Sequence, residues 1–245
     1  MENQFLRSEM LWGPEAQARL AASHVILFGL GGVGSYTAEC LARAGVGELT
    51  LVDQDTVSLT NLNRQLEALH STLEQPKVQA VARRLLDINP ALVLHPIHAT
   101  YDAAHREQFF PEGCRYDYIA DAIDLVSCKL DLAQTARRLG IPLVMALGTG
   151  NKLDPSLLRL TDLSKTYGCP LARVMRRELR RLGMEHVKVV FSPEEAVEAQ
   201  QLEAPPPGRR SVQGSTPWVP AVAGLLLGSA IVRDLIAGKG GVVPC

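Results

Sequence analysis

Cysteine is scarce in this chain of 245 residues, and the five cysteines, at positions 40, 114, 128, 169 and 245, show no paired spacing. This pattern argues against a disulfide framework and against a zinc site built from Cys-x-x-Cys pairs, so no zinc is expected. The first residues, Met1 to Gln4, lack a basic stretch followed by an apolar core. No signal peptide is therefore predicted, and the cytoplasm is the expected compartment.

A strong charge imbalance is also missing, since the formal net charge is −1. This excludes a globally basic nucleic-acid coat but leaves room for a local basic patch. The most apolar segment, Trp218 to Ile236, is interrupted by Pro220, Gly224, Gly228 and Ser229. Its unbroken part is too short to span a membrane, so we expect a helix packed in the core or in a dimer interface, with no membrane partner.

Glycines are concentrated in the segment Gly29-Leu30-Gly31-Gly32-Val33-Gly34. Val25 to Phe28 before it predicts a buried strand, and Val33 to Ala44 predicts a helix. At such a turn Gly29 permits the bend, Gly31 admits a phosphate, and Gly34 allows helix and strand to pack closely. We therefore predict a nucleotide site; the alternative is a glycine turn that binds nothing.

Strand and helix patterns alternate from Val25 to Leu147, which predicts an α/β fold with a doubly wound, Rossmann-like, mostly parallel sheet. The length suits one domain, residues 1–245. Residues of about 21–150 would form its nucleotide-binding core, and about 151–245 an acceptor-binding extension. Ser156 to Asp162 and Val187 to Phe191 read as strands without crossover helices of the same kind, so we expect an antiparallel extension of the sheet.

Charged residues come just after the predicted strands, at the sheet edge where a doubly wound fold binds its nucleotide. Asp53 ends the second predicted strand. It follows Gly34, the last glycine of the turn, at the ~20-residue distance that is typical of a ribose-binding acid. Arg64 and Lys77 follow it, and Asp124 lies just past the fourth strand, close to Asp121. Two cations near a carboxylate pair suit a triphosphate with magnesium. Individually, the cations could be solvated surface charges and the acids helix caps.

These motifs together resemble a known family. Gly-x-Gly-Gly-x-Gly, the Asp53 to Gln65 segment, Gln75-Pro76-Lys77, Ile88-Asn89-Pro90 and Asp121-Ala122-Ile123-Asp124 are similar to the ubiquitin-activating-like adenylyltransferases, the ThiF type. Segments 161–166, 169–173, 191–192 and 219–224 further resemble the branch of tRNA threonylcarbamoyladenosine dehydratases. The similarity covers nearly the whole chain.

The resemblance implies ATP and Mg²⁺ as cofactors and assigns roles to individual residues. It places the nucleotide against Gly29, Gly31, Gly32, Gly34, Asp53, Asp55, Asn61, Arg64 and Lys77. Magnesium would bind Asp124, and Arg64, Lys77 and Asp124 would be the catalytic residues. Arg7 matches an arginine that in some relatives reaches the partner subunit's ATP, and a homodimer is implied. Leu125 departs from the family, where a small polar residue often follows the metal-binding acid.

The predicted helix from Pro170 to Leu182 is a candidate RNA-binding element. One face carries five arginines, namely Arg173, Arg176, Arg177, Arg180 and Arg181. Such a face can bind successive phosphates, with Lys165 and Arg209-Arg210 extending the patch. The alternative is an ordinary amphipathic helix with a charged solvent side.

Two further segments bear on the active site. Gln200 to Pro217, rich in proline and glycine, predicts a mobile crossover loop that covers the site or merely connects two elements. Cys169 lies where a thioester cysteine could be sought in ubiquitin-activating relatives. Because Pro170 follows it at the start of a helix, we predict a packing role.

Three functions are consistent with the sequence. The favoured one is ATP-dependent adenylation of the threonyl carboxylate of threonylcarbamoyladenosine in tRNA, followed by cyclising dehydration. The second is activation of the C-terminus of a ubiquitin-like sulfur-carrier protein, with a sulfur-transfer protein as partner. The third is a nicotinamide-dependent oxidoreductase or a nucleotide-binding regulator. The first two differ only in the acceptor surface.

Overall fold

The computed structural model describes residues 3–200, 202 and 212–238. Its helices are α1 (Leu6–Trp12), α2 (Pro14–Ala21), α3 (Gly34–Ala44), α4 (Lys77–Ile88), α5 (Arg106–Phe109), α6 (Val126–Leu139), α7 (Pro170–Arg181) and α8 (Val219–Ile236). Its strands are β1 (His24–Phe28), β2 (Glu48–Asp53), β3 (Val93–His98), β4 (Tyr118–Asp121), β5 (Leu143–Ala146), β6 (Arg159–Asp162) and β7 (Lys188–Phe191). Four short 3₁₀ turns lie at Leu59–Asn61, His70–Thr72, Pro155–Leu157 and Leu163–Lys165.

The strands form one seven-stranded sheet in the order β3-β2-β1-β4-β5-β7-β6. All neighbours are parallel except β6 and β7. The chain leaves β1 in one direction for β2 and β3, and later returns to β1's other side with β4. This reversal places a crevice at the carboxyl ends of β1 and β4, where doubly wound sheets bind ligands. The predicted α/β, doubly wound, mostly parallel fold is confirmed.

The predicted antiparallel extension is confirmed at the β6–β7 pair, and the structure departs from the expectation in one respect. β7 pairs parallel with β5, and only β6, at the sheet's edge, runs antiparallel. A full helix, α7, connects β6 to β7, so the second of the two predicted strands joins the parallel sheet through a helical connection. The first is shorter than predicted, because Pro155–Leu157 forms a 3₁₀ turn that Asp154 caps by accepting the Ser156 N–H.

The central strands are buried on both faces, as their continuous apolar sequences require. Val25, Ile26, Leu27 and Phe28 of β1 are fully buried, with α3, α4 and α8 contributing to the core on one side. On the other side an aromatic cluster around Phe28, with Tyr101 and Phe109, packs near α6. The glycine turn after β1 is thereby held on a rigid base.

The last helix, α8, packs tightly on α3. A side chain at Gly224 would place its Cβ 2.3 Å from the Val33 carbonyl oxygen, and the Thr37 hydroxyl donates to the Gly224 carbonyl at 3.0 Å. Helix α8 is long and apolar enough to cross a membrane, but 61% of it is buried inside the fold. The predicted core packing of this segment is therefore confirmed.

Three features of the sequence analysis lie largely outside the described residues. The crossover loop predicted at 200–217 is described only at 200, 202 and from 212 onward. Arg209 and Arg210, the proposed extension of the basic patch, and Cys245 also fall outside the described ranges.

Candidate nucleotide-binding site

A cavity of about 520 Å³ opens at the carboxyl ends of β1, β2, β4 and β5. It lies at the reversal point of the sheet. Eight of the predicted site residues line it: Gly29, Gly31, Gly32, Asp53, Asp55, Arg64, Lys77 and Asp124. The sheet thus brings together charged side chains that are far apart along the chain.

The glycines of the turn have different structural roles. Gly29 has φ +88°, and a Cβ there would lie 2.8 Å from the Ala122 carbonyl oxygen. A Cβ on Gly34 would lie 1.8 Å from the Gly29 carbonyl oxygen, so both positions require glycine for the fold itself. At Gly31 the nearest atom is Gln65 Nε2 at 3.7 Å. Packing therefore does not require glycine at position 31, and the space beside it is left for a ligand.

Asp53 links the glycine turn to the second strand. One carboxylate oxygen accepts the Leu30 N–H at 2.6 Å, and the other accepts the Asp55 N–H at 2.8 Å. Each oxygen keeps a further acceptor position. Asp53 is thus fixed at the cavity wall, and its oxygens keep the capacity to accept further hydrogen bonds.

Lys77 begins α4 at the cavity wall, and its side chain is almost fully buried. Its ammonium Nζ lies 2.9 Å from Asp55 Oδ2, and only 6% of the lysine side chain is exposed against 56% of the aspartate. The backbone reinforces this arrangement, since the Lys77 N–H donates to the Asp55 carbonyl at 2.9 Å. A buried cation beside a glycine turn is suited to phosphate binding.

Arg64 and Asp124 complete the polar wall. The Arg64 guanidinium donates to the Thr60 carbonyl at 2.7 Å and to Asn63 Oδ1 at 3.0 Å, while Cγ of the same side chain lies near Gly32. Asp124 follows β4 and is exposed within the cavity lining. An exposed carboxylate that lines the same cavity as two cations and a glycine turn is a suitable oxygen ligand for a hard cation shared with phosphates.

Two predicted residues lie behind the wall. Gly34 is buried at the start of α3, in agreement with its predicted role in helix–strand packing. Asn61 is buried too, and its side-chain oxygen accepts the Ser58 N–H at 3.1 Å, which closes the 3₁₀ turn before Arg64. The structure therefore places Asn61 as a support for the arginine and not on the cavity surface.

A buried ion pair beneath the site was not identified from the sequence. Lys129 Nζ lies 3.1 Å from Asp121 Oδ2, with 1% and 0% of the two side chains exposed, and it also donates to the Ala146 carbonyl at 2.7 Å. Burial raises the pKa of Asp121, and Lys129 opposes that rise. The pair ties α6 to β4 and β5. Asp121 is therefore structural, and of the predicted carboxylate pair only Asp124 faces the ligand cavity.

The segment after Arg64 holds two polar side chains that the sequence analysis did not single out. Gln65 lines the cavity, and its Oε1 has no hydrogen-bond partner of normal geometry within the described ranges. Glu67 is 3% exposed, and neither of its carboxyl oxygens has such a partner there. Burial raises the pKa of Glu67 to about 7, with the positive charge of Lys77 opposing the rise. Only the motif Arg-Gln could have drawn attention to Gln65.

The extension forms the opposite side of the cavity. Gly148, Thr149 and Gly150 follow β5, and Leu171 comes from the first turn of α7. The described end of the predicted loop also reaches this wall at residues 212–215. It is held by Asn151, which accepts the Gly214 N–H at 2.6 Å, and by Asn63, which donates to the Ser215 carbonyl at 3.0 Å.

The arginines of α7 do not all share one solvent face. Arg176 is half-buried and donates to the Thr166 carbonyl at 2.8 Å, so it departs from the predicted face. Arg173, Arg177, Arg180 and Arg181 are exposed. Glu178 pairs with Arg177 and Arg181 at 2.7 and 3.0 Å, which leaves the outer turns partly neutralised. Arg173 lies in the first turn of α7, two positions after Leu171, and is the exposed arginine nearest to the end of the helix that reaches the cavity wall.

Cys169 and Arg7 are placed away from the polar wall. Cys169 is 4% exposed in an apolar cluster, and its Sγ caps α7 by accepting the Ala172 N–H at 3.4 Å. This geometry agrees with the predicted packing role. Arg7 is exposed on α1 and does not line the cavity.

A Rossmann-like sheet with a glycine turn, a ribose-type acid and two clustered cations defines a nucleotide-binding protein of the adenylate-forming class. The sequence matches the profile of the ThiF family over residues 5–239. The chain belongs to the ThiF family.

Individual proteins of known function or structure are also similar to this chain. The tRNA threonylcarbamoyladenosine dehydratase of Bacillus subtilis is 40% identical over 96% of both chains. The crystal structure of Escherichia coli tRNA N6-threonylcarbamoyladenosine dehydratase in complex with ATP superimposes with a TM-score of 0.85 and 34% identity, covering 96% of this chain and 95% of that one. The molybdopterin-synthase adenylyltransferase of E. coli is 38% identical, but over 63% of this chain and 61% of its own.

Proposed function

We propose that the protein is an ATP-dependent tRNA threonylcarbamoyladenosine dehydratase. The observation that carries the proposal is the full-length similarity to dehydratases, which includes the extension as well as the nucleotide core. The alternative, activation of a sulfur-carrier protein, is favoured only by relatives that match a smaller share of the chain.

The reaction proposed has two stages. First the threonyl carboxylate attacks the α-phosphorus of ATP, forming an acyl-adenylate and releasing pyrophosphate. Then an atom within the same modified base attacks the acyl carbon, closes a ring and expels AMP, with net loss of water. Adenylation is needed because hydroxide is a poor leaving group and AMP a good one.

The wall of the cavity supplies charge neutralisation and positioning for the first stage. Gly31 and Gly32 leave room for the phosphates, and Asp53 would accept the ribose hydroxyls. Lys77 and Arg64 would donate hydrogen bonds to the phosphate oxygens and stabilise the negative charge that is redistributed as pyrophosphate leaves. Because the second nucleophile belongs to the substrate, no catalytic cysteine is required, and the buried, capping position of Cys169 agrees with that.

We also propose that Mg²⁺ binds at Asp124. The residue fits this role because its carboxylate lies exposed at the cavity, whereas Asp121 is buried against Lys129. A bound magnesium ion would neutralise phosphate charge and hold the triphosphate in one geometry.

The acceptor tRNA would approach across α7. Arg173 and the exposed arginines beyond it lead outward from the cavity wall at Leu171. Arg159 adds a further cation, with its guanidinium 5.5 Å from the centroid of the Tyr167 ring. A cation beside a half-exposed aromatic ring is suited to a nucleotide that carries both a phosphate and a base.

The proposed assembly is a cytoplasmic homodimer. Its support is the exposed apolar surface of α1, where Leu6, Met10 and Leu11 are 48%, 75% and 84% exposed. Side chains of this size are usually covered when they cluster on one short helix. If Arg7 reaches the ATP of the partner subunit, the same helix would provide it.

The acceptor decides the function, so the test compares acceptors directly. Purified protein is incubated with ATP and Mg²⁺, and pyrophosphate release is measured with three acceptors: tRNA carrying threonylcarbamoyladenosine, the same tRNA without the modification, and sulfur-carrier proteins with a C-terminal Gly-Gly. We expect release only with the modified tRNA, and a nucleoside lighter by one water on mass analysis of the digested product.

Release driven by a carrier protein, with no change in the mass of the tRNA nucleoside, would transfer the proposal to the carrier-activating alternative. Release with neither acceptor, in protein shown to bind ATP, would contradict both. Reduction or oxidation of a nicotinamide cofactor would point to the third function.

A further inference from the structure

A second cluster of functional side chains lies at the opposite end of the sheet from the nucleotide cavity. It contains His24 at the start of β1, Glu48 at the start of β2 and His95 within β3. The strand register pairs His24 with Glu48, and Thr50 with His95. Because alternate residues of a strand share a face, all four side chains emerge on the same side of three adjacent strands.

The potential ligand atoms of the cluster are close to one another. His24 Nδ1 lies 3.4 Å from Glu48 Oε1, and His95 Nε2 lies 2.7 Å from the same oxygen. One nitrogen or oxygen from each residue falls within 4.8 Å of the others. Ligands about 2.0–2.1 Å from a tetrahedral zinc ion are separated by roughly 3.3 Å, so His24 and Glu48 already stand at the required spacing. His95 needs to withdraw by about half an ångström, which an exposed side chain at an edge strand can do.

The hydrogen bonds around His24 orient its ring for this purpose. Its Nε2 lies 2.8 Å from the hydroxyl of Thr50. When Nε2 donates its hydrogen to that hydroxyl, the ring's lone pair is on Nδ1, which faces Glu48. Metal-binding histidines usually have such a partner on the second ring nitrogen, since it fixes both the tautomer and the orientation. The ring of Tyr116 packs edge-on against His24, with centroids 4.6 Å apart, and limits its rotation.

The degree of exposure suits a site with an open position. The His24 side chain is 18% exposed, Glu48 38% and His95 47%. The first residue is held by the sheet while the other two remain accessible from solvent. Two imidazole nitrogens and one carboxylate are a ligand set typical of zinc and related transition metals, with water or an external ligand in the fourth position.

We propose that His24, Glu48 and His95 form a binding site for a divalent transition metal of the zinc type. The site is separate from the magnesium position at Asp124, because it uses nitrogen ligands and lies at the amino ends of the strands. This proposal departs from the expectation of no zinc, which rested on the missing Cys-x-x-Cys pairs and did not consider histidine ligands.

Metal titration of nucleotide-free protein tests this site. Zn²⁺ binding is measured by competition with a chromophoric chelator, and Co²⁺ is added separately for its visible spectrum. We expect one tight equivalent per chain and a tetrahedral Co²⁺ spectrum without a thiolate charge-transfer band. His95→Ala and Glu48→Gln should each weaken Zn²⁺ binding at least ~10-fold. Both residues are solvent-accessible, so both variants should fold, which circular dichroism verifies.

A matched control is available in the same fold. His105 and Asp102 form a similar exposed pair, with Nδ1 and Oδ1 2.9 Å apart. His105→Ala should leave Zn²⁺ affinity unchanged, and so should Asp124→Ala. Equal affinities of wild type, His95→Ala and Glu48→Gln would overturn the proposal. So would a thiolate band in the Co²⁺ spectrum, or the lack of a tight equivalent in the wild type.

Discussion

Lys77 and Asp55 form an ion pair in which the lysine is buried and the aspartate is exposed, with Nζ and Oδ2 2.9 Å apart. Asp55 can exchange this contact for water readily, because more than half of its side chain is in solvent. The Lys77 ammonium group cannot be solvated in the same way, because burial restricts it to partners at the cavity wall. The pair is therefore arranged so that the cation is available to an anionic ligand.

The first prediction compares the two buried lysines. Lys77→Met should lower ATP affinity roughly 10- to 100-fold, the effect of removing one charge-assisted hydrogen bond, with little change in stability because Asp55 stays solvated. Lys129→Met should instead destabilise the fold by about 3–5 kcal/mol, since it leaves Asp121 buried without its cation. Calorimetric ATP binding and urea unfolding measure the two effects. Similar decreases in stability in both variants would contradict the distinction.

A second prediction concerns catalysis. Asp124→Ala and Arg64→Ala should each lower acceptor-dependent pyrophosphate release at least ~100-fold at saturating ATP and Mg²⁺, the scale for one preorganised electrostatic group. Asp87→Ala, an exposed acid on α4, is the matched control and should retain full turnover. Near wild-type turnover in both site variants would show that the catalytic centre lies elsewhere.

The glycine turn allows a third prediction from a pair of identical substitutions. Gly31→Ala adds a methyl group at ordinary contact distance from Gln65 Nε2, so stability should stay within about 0.5 kcal/mol while ATP affinity falls about tenfold, because the backbone can no longer approach the phosphates. Gly34→Ala places the same methyl 1.8 Å from a carbonyl oxygen and should prevent stable folding. Thermal unfolding and ATP titration give the two readouts. Unchanged ATP affinity in Gly31→Ala would mean that this glycine does not face the phosphates.

The fourth prediction follows from the pKa of Glu67, which burial raises to about 7. The folded protein holds Glu67 protonated at pH values where the unfolded chain has already ionised it. Stability therefore decreases as pH rises from about 4.5 to about 7, by about 3 kcal/mol in total. Glu67→Gln should remove this dependence, so the variant gains relative to wild type at about pH 8 and not at about pH 4. Glu107→Gln, at an exposed position of α5, is the control; parallel curves for wild type and Glu67→Gln would refute the prediction.

The fifth prediction concerns the arginine surface of α7. Replacing Arg173, Arg177 and Arg180 with Ala should weaken tRNA binding without changing ATP affinity. The slope of log affinity against log salt should become shallower by up to ~0.9 for each phosphate that is no longer neutralised. Arg83→Ala on α4 is the control for a generic removal of charge. Arg173 alone should account for the largest part, because it is the exposed arginine nearest to the end of α7 that reaches the cavity wall at Leu171. Identical salt slopes for the variant and the wild type would remove the RNA role from this helix.

The sequence was most informative where local pattern and global fold require the same residues. The glycine turn, the position of Asp53 and the alternation of strands and helices up to Leu147 could be predicted, because buried parallel strands have continuous apolar sequences and their carboxyl ends meet at one edge. The direction of β7 could not, since whether a strand joins the sheet parallel or antiparallel depends on where the connecting helix packs.

The side chains that sequence reasoning missed share a different cause. Lys129 and Glu67 have ordinary surface-residue identities, and only the tertiary fold reveals that both are buried. The helix that contains Arg176 was predicted, but its side chain is half-buried because it donates a hydrogen bond to the Thr166 carbonyl. In each case the role depends on packing between separate segments of the chain, and no local pattern encodes it.

The close packing of α8 on α3 also has a consequence for how the protein is made. Gly224 packs against the carbonyl of Val33, and a Cβ at Gly32 would lie 3.1 Å from Pro220. Helix α8 therefore packs directly on the glycine turn after β1. On a ribosome, residues 24–44 emerge long before residues 219–236 exist. The glycine turn after β1 can therefore reach its final packing only after synthesis of the chain is nearly finished, and a nascent chain halted before α8 should bind ATP poorly.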